Sequence, residues 1–106
     1  MSHTKVNYHE VKAVSDAIHF LRDPLECDRL GVSVIDCEPG WKGRKHDHGD
    51  ENHEEVYLLV EGEATITVSG ETVSMTAGDA IRIDPDASRQ IRNGDTESTF
   101  VVAGAP

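Results

Sequence analysis

The sequence lacks the features that direct a protein to a membrane or to an oxidising compartment. Nine residues lie between its two cysteines, Cys27 and Cys37, which is not the CxxC spacing of a zinc knuckle, and two thiols form at most one bridge. No apolar run approaches the length of a membrane span, and residues 1–10 are polar, without the hydrophobic region of a secretory signal. We therefore expect a cytoplasmic protein with reduced thiols and no membrane partner.

Positive charge is also scarce. Twenty acidic residues stand against ten lysines and arginines, and the formal net charge is −10 at pH 7. A surface with this balance repels phosphate backbones, so we expect no nucleic-acid partner. At about 1 M ionic strength, salt screens charges over a few ångströms and would weaken the repulsion among these acids. One hypothesis is therefore that the protein comes from a salt-rich host.

A convincing helical pattern is missing, and short strand patterns recur instead. Residues 64–68 alternate strictly between apolar and threonine side chains, and Ser69-Gly70 turns the chain into the next strand as a hairpin. Residues 13–21 are ambiguous between a strand and a poor helix. Further strands are predicted at 30–35, 56–60, 71–75, 80–83 and 99–102, with a short one around residue 89.

Short strands at this spacing are typical of an antiparallel sandwich or barrel. A chain of 106 residues is long enough for one core and too short for a second, and no repeat, low-complexity tract or linker divides it. We therefore expect one all-β domain over residues 1–106.

Residues 45–62 have the most unusual composition, because they crowd three of the six histidines and several acids ahead of an apolar run. His46 and His48 are separated by one residue, so in an extended chain both imidazoles share a face. The same alternation places His53, Glu55 and Tyr57 on one face of the strand that follows. Two neighbouring strands could therefore point these groups at a common spot.

Imidazole and carboxylate together are a ligand set that suits a divalent Fe, Mn, Zn or Ni ion. The simpler alternative is a polar loop whose histidines are merely solvated. The apolar strand after Glu55 favours the metal site, because it would carry the carboxylate into the fold, where an unpaired charge costs several kcal/mol.

The spacing of these residues resembles the first motif of the cupin family. Five residues separate Gly40 from His46, one separates His46 from His48, and six separate Glu55 from Gly62. The six residues between His48 and Glu55 form a longer gap than the family usually has.

The second cupin motif resembles Gly78-Asp79, followed by Asp84-Pro85-Asp86 and Asn93. Arg89 stands four residues before Asn93, at the position where the family usually carries its last metal-binding histidine. The two motifs place the resemblance over about residues 30–103 and leave residues 1–29 as an N-terminal segment with a possible edge strand.

The resemblance implies a small double-stranded β-helix, or jelly-roll barrel, that holds a metal ion through His46, His48 and Glu55. It also implies a homodimer built by pairing of sheet edges, which agrees with the need of a small antiparallel sandwich to protect its edge strands.

Arg89 breaks the usual ligand set, because arginine offers no lone pair and stays protonated in proteins. Three alternatives remain open. In the first, His53 is the fourth metal ligand, since it shares a face with Glu55. In the second, His46, His48 and Glu55 bind the ion alone and leave coordination positions open for water and substrate. In the third, the guanidinium of Arg89 pairs with Glu55 in place of a metal ion.

Arg89 also predicts the kind of ligand, because a guanidinium aimed into a barrel matches a carboxylate or phosphate bidentately. The alternative is that Arg89 faces solvent or pairs with one of the many acids. Tyr57 shares the face of Glu55 and is a second candidate for substrate binding. An ordinary core tyrosine is the alternative for that residue.

Two functions follow from these patterns. The first is a metal-dependent enzyme, of oxygenase, isomerase or lyase type, that acts on a small anionic molecule. The second is a non-catalytic module that binds a small molecule or a metal ion. The sequence chooses neither the substrate nor the reaction.

Overall fold

The computed structural model describes residues 2–106, and its regular structure is almost entirely strand. One turn of 3₁₀ helix covers Tyr8–Glu10, where the side chain of Asn7 accepts a hydrogen bond from the backbone N–H of His9. No helix in this part of the chain is long and apolar enough to cross a membrane. The strands are β1 (Ile18–Phe20), β2 (Gly31–Cys37), β3 (Glu54–Glu61), β4 (Glu63–Val68), β5 (Glu71–Thr76), β6 (Ala80–Ile83), β7 (Arg89–Asn93) and β8 (Ser98–Ala105).

The strands form two antiparallel sheets. The larger sheet has the order β1-β2-β8-β3-β6, and the smaller has the order β5-β4-β7. Their inner faces pack against each other and enclose one core, and non-consecutive strands are neighbours in both sheets. This is a jelly roll, so the predicted all-β, double-stranded β-helix fold is confirmed.

The core follows the alternation of the strands. In β3, Tyr57 and Leu59 are buried while Val56 and Val60 on the other face are exposed, as the sequence predicts. The rings of Tyr57 and Phe100 meet edge to face, with their centroids 6.4 Å apart. Apolar burial of this kind is the main favourable term in folding. The other buried apolar side chains include Ile35, Ala64, Ile66, Met75, Ile83, Ile91 and Val102.

The ambiguous segment 13–21 contains β1, preceded by a tight turn. Val14 donates a backbone hydrogen bond to Ile18 (2.7 Å) and accepts one from it (2.9 Å). Ser15 and Asp16 make the turn with φ values of 54° and 60°, a left-handed conformation that side chains disfavour. Because no glycine marks this turn, the sequence pattern gives little warning of it.

One end of the barrel, which we call the closed end, is held by Asn93. Its Nδ2 lies within hydrogen-bonding distance of the carbonyls of Cys37 (3.2 Å), Glu38 (2.7 Å) and Thr96 (2.9 Å). Its Oδ1 accepts a hydrogen bond of 2.7 Å from the hydroxyl of Ser98. These contacts join β7 of the small sheet to β2 and β8 of the large one.

Candidate metal centre

The opposite end of the barrel, the open end, brings together three of the residues singled out in the sequence. His46, His48 and Glu55 each offer one ligand atom, and these atoms lie within 4.8 Å of one another. The two imidazole centroids are 5.0 Å apart. All three side chains are half-buried. The arrangement could hold a metal ion, because it presents two imidazoles and a carboxylate to a common point.

His46 is positioned by backbone pairing with β7. Its N–H donates to the carbonyl of Arg89 (3.0 Å), and the N–H of Arg89 donates back to the carbonyl of His46 (2.8 Å). The imidazole Nδ1 lies 3.0 Å from the carbonyl of Arg44. Because a carbonyl only accepts, Nδ1 carries a proton, and in the neutral imidazole Nε2 then keeps its lone pair. This is the tautomer that a metal ligand requires.

The imidazole of His48 has fewer hydrogen-bond partners than that of His46. Its Nε2 lies 3.2 Å from Glu55 Oε1. Its Nδ1 is buried and has no hydrogen-bond partner among residues 2–106, and Oε2 of Glu51 lies 3.7 Å from it. A buried polar atom without a partner is costly. A cation on Nε2 would leave the imidazole proton on Nδ1, on the side of the Glu51 carboxylate but beyond hydrogen-bonding distance of it. The fit to a metal ion therefore rests on the convergence of the three ligand atoms.

Glu55 is held through one of its two oxygens. Oε1 accepts hydrogen bonds from the hydroxyl of Tyr57 (3.3 Å) and from Nη1 of Arg89 (2.9 Å). Burial, and next the charge of Glu55, raise the pKa of Tyr57, so the phenol stays protonated and keeps donating. The sequence prediction that Tyr57 shares the face of Glu55 is confirmed by this contact. Its role in substrate binding stays a prediction.

The guanidinium of Arg89 is buried, with 1% of the residue exposed. Besides Glu55, it donates from Nε to the carbonyl of Ala87 (3.0 Å) and from Nη2 to the carbonyl of Asp84 (2.7 Å). Each of its three nitrogens is therefore engaged by the protein itself. The pairing with Glu55 that the sequence left as one alternative is present, while the expected contact of Arg89 with an anionic ligand stays a prediction.

Gly104 makes room for Glu55, a role that the sequence analysis missed. The register of β3 and β8 places Gly104 directly opposite Glu55. A Cβ at residue 104 would lie 2.8 Å from Cγ of Glu55 and 2.9 Å from the carbonyl oxygen of Glu54. No sequence signal identifies this glycine, because its importance depends on the pairing of two strands that are distant in the chain.

His53 lies outside the group of three. It precedes β3, its ring centroid is 6.2 Å from that of His48, and its Nδ1 is 3.5 Å from Oε2 of Glu51. The structure thus places His53 near the carboxylate of Glu51, outside the group formed by the three candidate ligands. Its service as a fourth ligand stays a prediction.

A cavity of about 590 Å³ opens onto the three candidate ligands. The turn at Val14-Ser15 lies at its edge, where the indole Nε1–H of Trp41 donates to the carbonyl of Ser15 (3.1 Å). The indole also covers Gly43, since a Cβ there would lie 3.1 Å from the ring. Trp41 therefore connects the N-terminal segment to the barrel. The wall is completed by Ile18, Phe20, Ser33, Ile35, Lys42, Arg44, Tyr57, Arg89, Ile91 and Val102.

Several solved structures share this architecture. A cupin protein from Bacteroides fragilis is 32% identical, with 95% of this chain and 86% of that chain covered and a TM-score of 0.75. A predicted oxalate decarboxylase from Thermotoga maritima is 21% identical, with 96% and 98% covered and a TM-score of 0.79. A sugar phosphate isomerase from Silicibacter pomeroyi is 22% identical, with 96% and 75% covered and a TM-score of 0.78.

The structures from Thermotoga maritima and Silicibacter pomeroyi show only that the fold is shared. No curated protein matches the chain. The sequence profile of the cupin domain matches residues 33–104, which include every residue of the metal-site candidate. Together with the paired histidines, Glu55 and the jelly roll, this match shows that the chain belongs to the cupin family.

Proposed function

We propose that the chain binds a divalent metal ion through His46, His48 and Glu55 and uses it to act on a small molecule held in the cavity. The convergence of three ligand atoms within 4.8 Å carries this proposal. The lone pair that His46 keeps on Nε2, because its Nδ1–H is committed to a carbonyl, supports it further.

A divalent ion in this place would supply a Lewis acid that polarises an oxygen of the bound molecule. The residues around it hold the ligands still. Arg89 and Tyr57 fix the orientation of the Glu55 carboxylate through Oε1, and Gly104 gives the side chain its space. The ion would join a carboxylate already neutralised by a guanidinium, so its affinity is expected to be lower than with an unpaired glutamate.

Three protein ligands leave coordination positions for water and a substrate, which a catalytic site needs and a structural site does not. The isomerase and decarboxylase names of two structural relatives support small-molecule chemistry on this fold. We therefore favour an enzyme of oxygenase, isomerase or lyase type.

One observation favours the second candidate, a non-catalytic binding module. Apart from His46, His48 and Glu55, the described residues that line the cavity include no imidazole and no carboxylate. The other acid–base side chains of this wall are Tyr57, whose hydroxyl donates to Glu55, and the exposed Lys42. In an enzyme, the proton transfer would fall to a ligand or to metal-bound water.

Metal content distinguishes the metal site from an empty one. Purified protein would be stripped with EDTA, reloaded with Fe(II), Mn(II), Zn(II) or Ni(II), and measured by elemental analysis and calorimetric titration. We expect one ion per chain, with affinity reduced about 100-fold or more in His48→Ala and in Glu55→Gln. His53→Ala is the matched control, and about threefold or less is expected there.

A wild-type protein that takes up none of the four ions would contradict the proposal. Loss of binding in His53→Ala equal to that in His48→Ala would make His53 the fourth ligand. Loaded protein would then be incubated with small carboxylates and sugar phosphates and followed by NMR. Metal-dependent turnover supports the enzyme, and ligand binding without turnover supports the binding module.

A homodimer remains part of the proposal, here through the outer face of β3 and not through the paired sheet edges that the resemblance implies. Val56 and Val60 are exposed on the outer face of β3, where a second copy would cover them. Light scattering of the wild type beside Val56→Lys tests this directly. A monomer in both samples would contradict it.

A further inference from the structure

The lining of the cavity indicates the chemical class of its ligand. We infer that the site takes an amphipathic organic acid, whose apolar body lies against the cavity wall and whose anionic group is held at the mouth by Lys42 and Arg44. The inference rests on the proposed function only for the reactive end of the ligand, which would face His46, His48 and Glu55.

The wall is built for an apolar body. Ile18, Phe20, Ile35, Ile91 and Val102 contribute side chains to it, together with the indole of Trp41. A volume of about 590 Å³ is within the usual range of small-molecule sites, which are mostly apolar with a few placed polar groups. Burial of a complementary apolar surface is favourable by about 25 cal/mol per Å².

Away from its cations and the three candidate ligands, the same wall is poor in hydrogen-bonding groups. Ser33 is its one hydroxyl besides Ser15 and Tyr57, and Tyr57 donates to Glu55. A polyhydroxylated ligand would lose its water hydrogen bonds on entry and recover few of them from the protein. Sugars and sugar acids therefore suit this cavity less well than apolar acids of similar size.

The mouth is the better place to recognise the anionic group, because the guanidinium in the interior is largely committed. Arg89 donates from Nη1, Nε and Nη2 to Glu55, Ala87 and Asp84, which uses three of its five N–H groups and pairs its charge with Glu55. Lys42 and Arg44 also line the cavity, and both are exposed. Neither forms an ion pair among residues 2–106, although the chain carries twenty acids.

The backbone between these two cations is fixed. Gly43 donates to the carbonyl of Ile91 (3.0 Å), and the side-chain amide of Gln90 donates to the carbonyl of Gly43 (2.8 Å). Lys42 and Arg44 therefore flank an anchored residue beside the opening. Two cations that form no ion pair within the described part of the chain, at the rim of a strongly negative protein, attract an anion to this point specifically.

Three probes of similar size test the inference by calorimetric titration. 4-Phenylbutyrate has the apolar body and the carboxylate, 4-phenyl-1-butanol has the body alone, and gluconate has a carboxylate on a hydroxylated body. We expect 4-phenylbutyrate to bind most tightly and gluconate not to bind measurably. In Lys42→Gln/Arg44→Gln, binding of 4-phenylbutyrate should weaken by about two- to tenfold, while that of the alcohol stays unchanged.

Exposed residues supply variants that are expected to fold. Phe20 lines the cavity and is 54% exposed, so Phe20→Ser should weaken binding of 4-phenylbutyrate and of the alcohol alike, by about three- to tenfold. The matched controls are Leu30→Ser, an exposed apolar residue outside the cavity wall, and Lys45→Gln, an exposed cation outside it. Both should bind 4-phenylbutyrate as the wild type does.

Each titration is run on metal-loaded and on EDTA-treated protein, which separates the two proposals. Binding of 4-phenylbutyrate by a chain that takes up no metal ion would support the ligand class and contradict the metal site. Gluconate binding as tightly as 4-phenylbutyrate, or equal affinity in the wild type and in Lys42→Gln/Arg44→Gln, would overturn the inference even if metal binds.

Discussion

At the closed end of the barrel, a neutral amide and a hydroxyl satisfy each other and the surrounding carbonyls. At the open end charged groups meet, and one imidazole nitrogen finds no partner among the residues that the structure describes. Asn93 uses both its oxygen and its nitrogen in bonds to β2, β8 and the loop before β8. At the other end, Arg89 and Glu55 form an ion pair next to His48, whose Nδ1 is buried without a hydrogen bond from any residue between 2 and 106.

This difference separates a self-sufficient polar network from the one that we propose binds a metal ion. A satisfied neutral network stabilises the fold and needs nothing from outside. A buried ion pair contributes little net stability, but the removal of one partner is costly because the other charge is left uncompensated. The two ends should therefore respond differently to substitution, to metal and to ligand.

The largest effect is expected at the ion pair. Glu55→Gln removes the one carboxylate that contacts the 1% exposed Arg89 within residues 2–106, and should lower the free energy of unfolding by about 3 kcal/mol in EDTA-treated protein. The measurement is urea denaturation followed by circular dichroism. Glu54→Gln is the matched control, since Glu54 pairs with the fully exposed Arg82, and no measurable change in the free energy of unfolding is expected there.

The double variant Glu55→Leu/Arg89→Met sharpens the same test. Replacement of both charges by apolar groups of similar size should recover much of the lost stability, because no charge is then left unpaired. A double variant less stable than Glu55→Gln would mean that the polar contacts of Arg89, and not its charge, carry the cost.

The next largest effect is expected at the closed end. Asn93→Ala removes four polar contacts and should lower the free energy of unfolding by about 2 kcal/mol. Metal affinity should stay within about twofold, because the network lies at the far end from the ligands. Arg92→Ala, on the exposed neighbour, serves as control. A loss of metal binding in Asn93→Ala would break the distinction between the two ends.

Gly104→Ala should have a smaller effect on stability and a specific effect on the site. The added Cβ meets Glu55 Cγ at 2.8 Å, so overpacking should cost about 1–2 kcal/mol. Displacement of the carboxylate should also weaken metal binding by about tenfold. Gly31→Ala is the matched control, since a Cβ there meets Gly104 O at an ordinary 3.6 Å. Equal metal affinity in both variants would contradict the positioning role.

The smallest expected effect concerns the thiols. Burial raises the pKa of the Cys37 thiol to about 11, so iodoacetamide at pH 8 should label Cys27 and leave Cys37 unmodified until the protein unfolds. Mass spectrometry of the wild type beside Cys27→Ser measures this labelling.

The pKa of Cys37 also predicts how stability depends on pH. Because the pKa of this thiol in the folded protein exceeds the ordinary 9.0, the stability due to the buried neutral thiol is present below pH 9 and is lost as pH rises toward 11.

Much of the barrel was predictable, because its strands alternate cleanly and turn residues separate them. The strand at 80–83 has the predicted bounds, and the predicted hairpin at Ser69-Gly70 joins β4 to β5. β1 was not predictable, since residues 13–21 have no clear period and the strand exists through its pairing with β2, where Ile18 lies opposite Ile35. Tertiary contact decides such segments.

The candidate ligands were predictable from spacing within one stretch of sequence. Their surroundings were not, because they depend on contacts between distant strands. The bond between Arg89 and Glu55 joins residues 34 positions apart and was one of three alternatives. Gly104 and the hydrogen bonds of Asn93 have no local signal at all, since each depends on register across the barrel.

Trp41 is the only tryptophan in the chain, and it lies over Gly43 at the edge of the cavity with its indole N–H bonded to Ser15. The protein therefore carries its own fluorophore at the entrance of its candidate site. A molecule that enters should change the polarity around the indole and shift its emission, so occupancy of the cavity can be followed without a label.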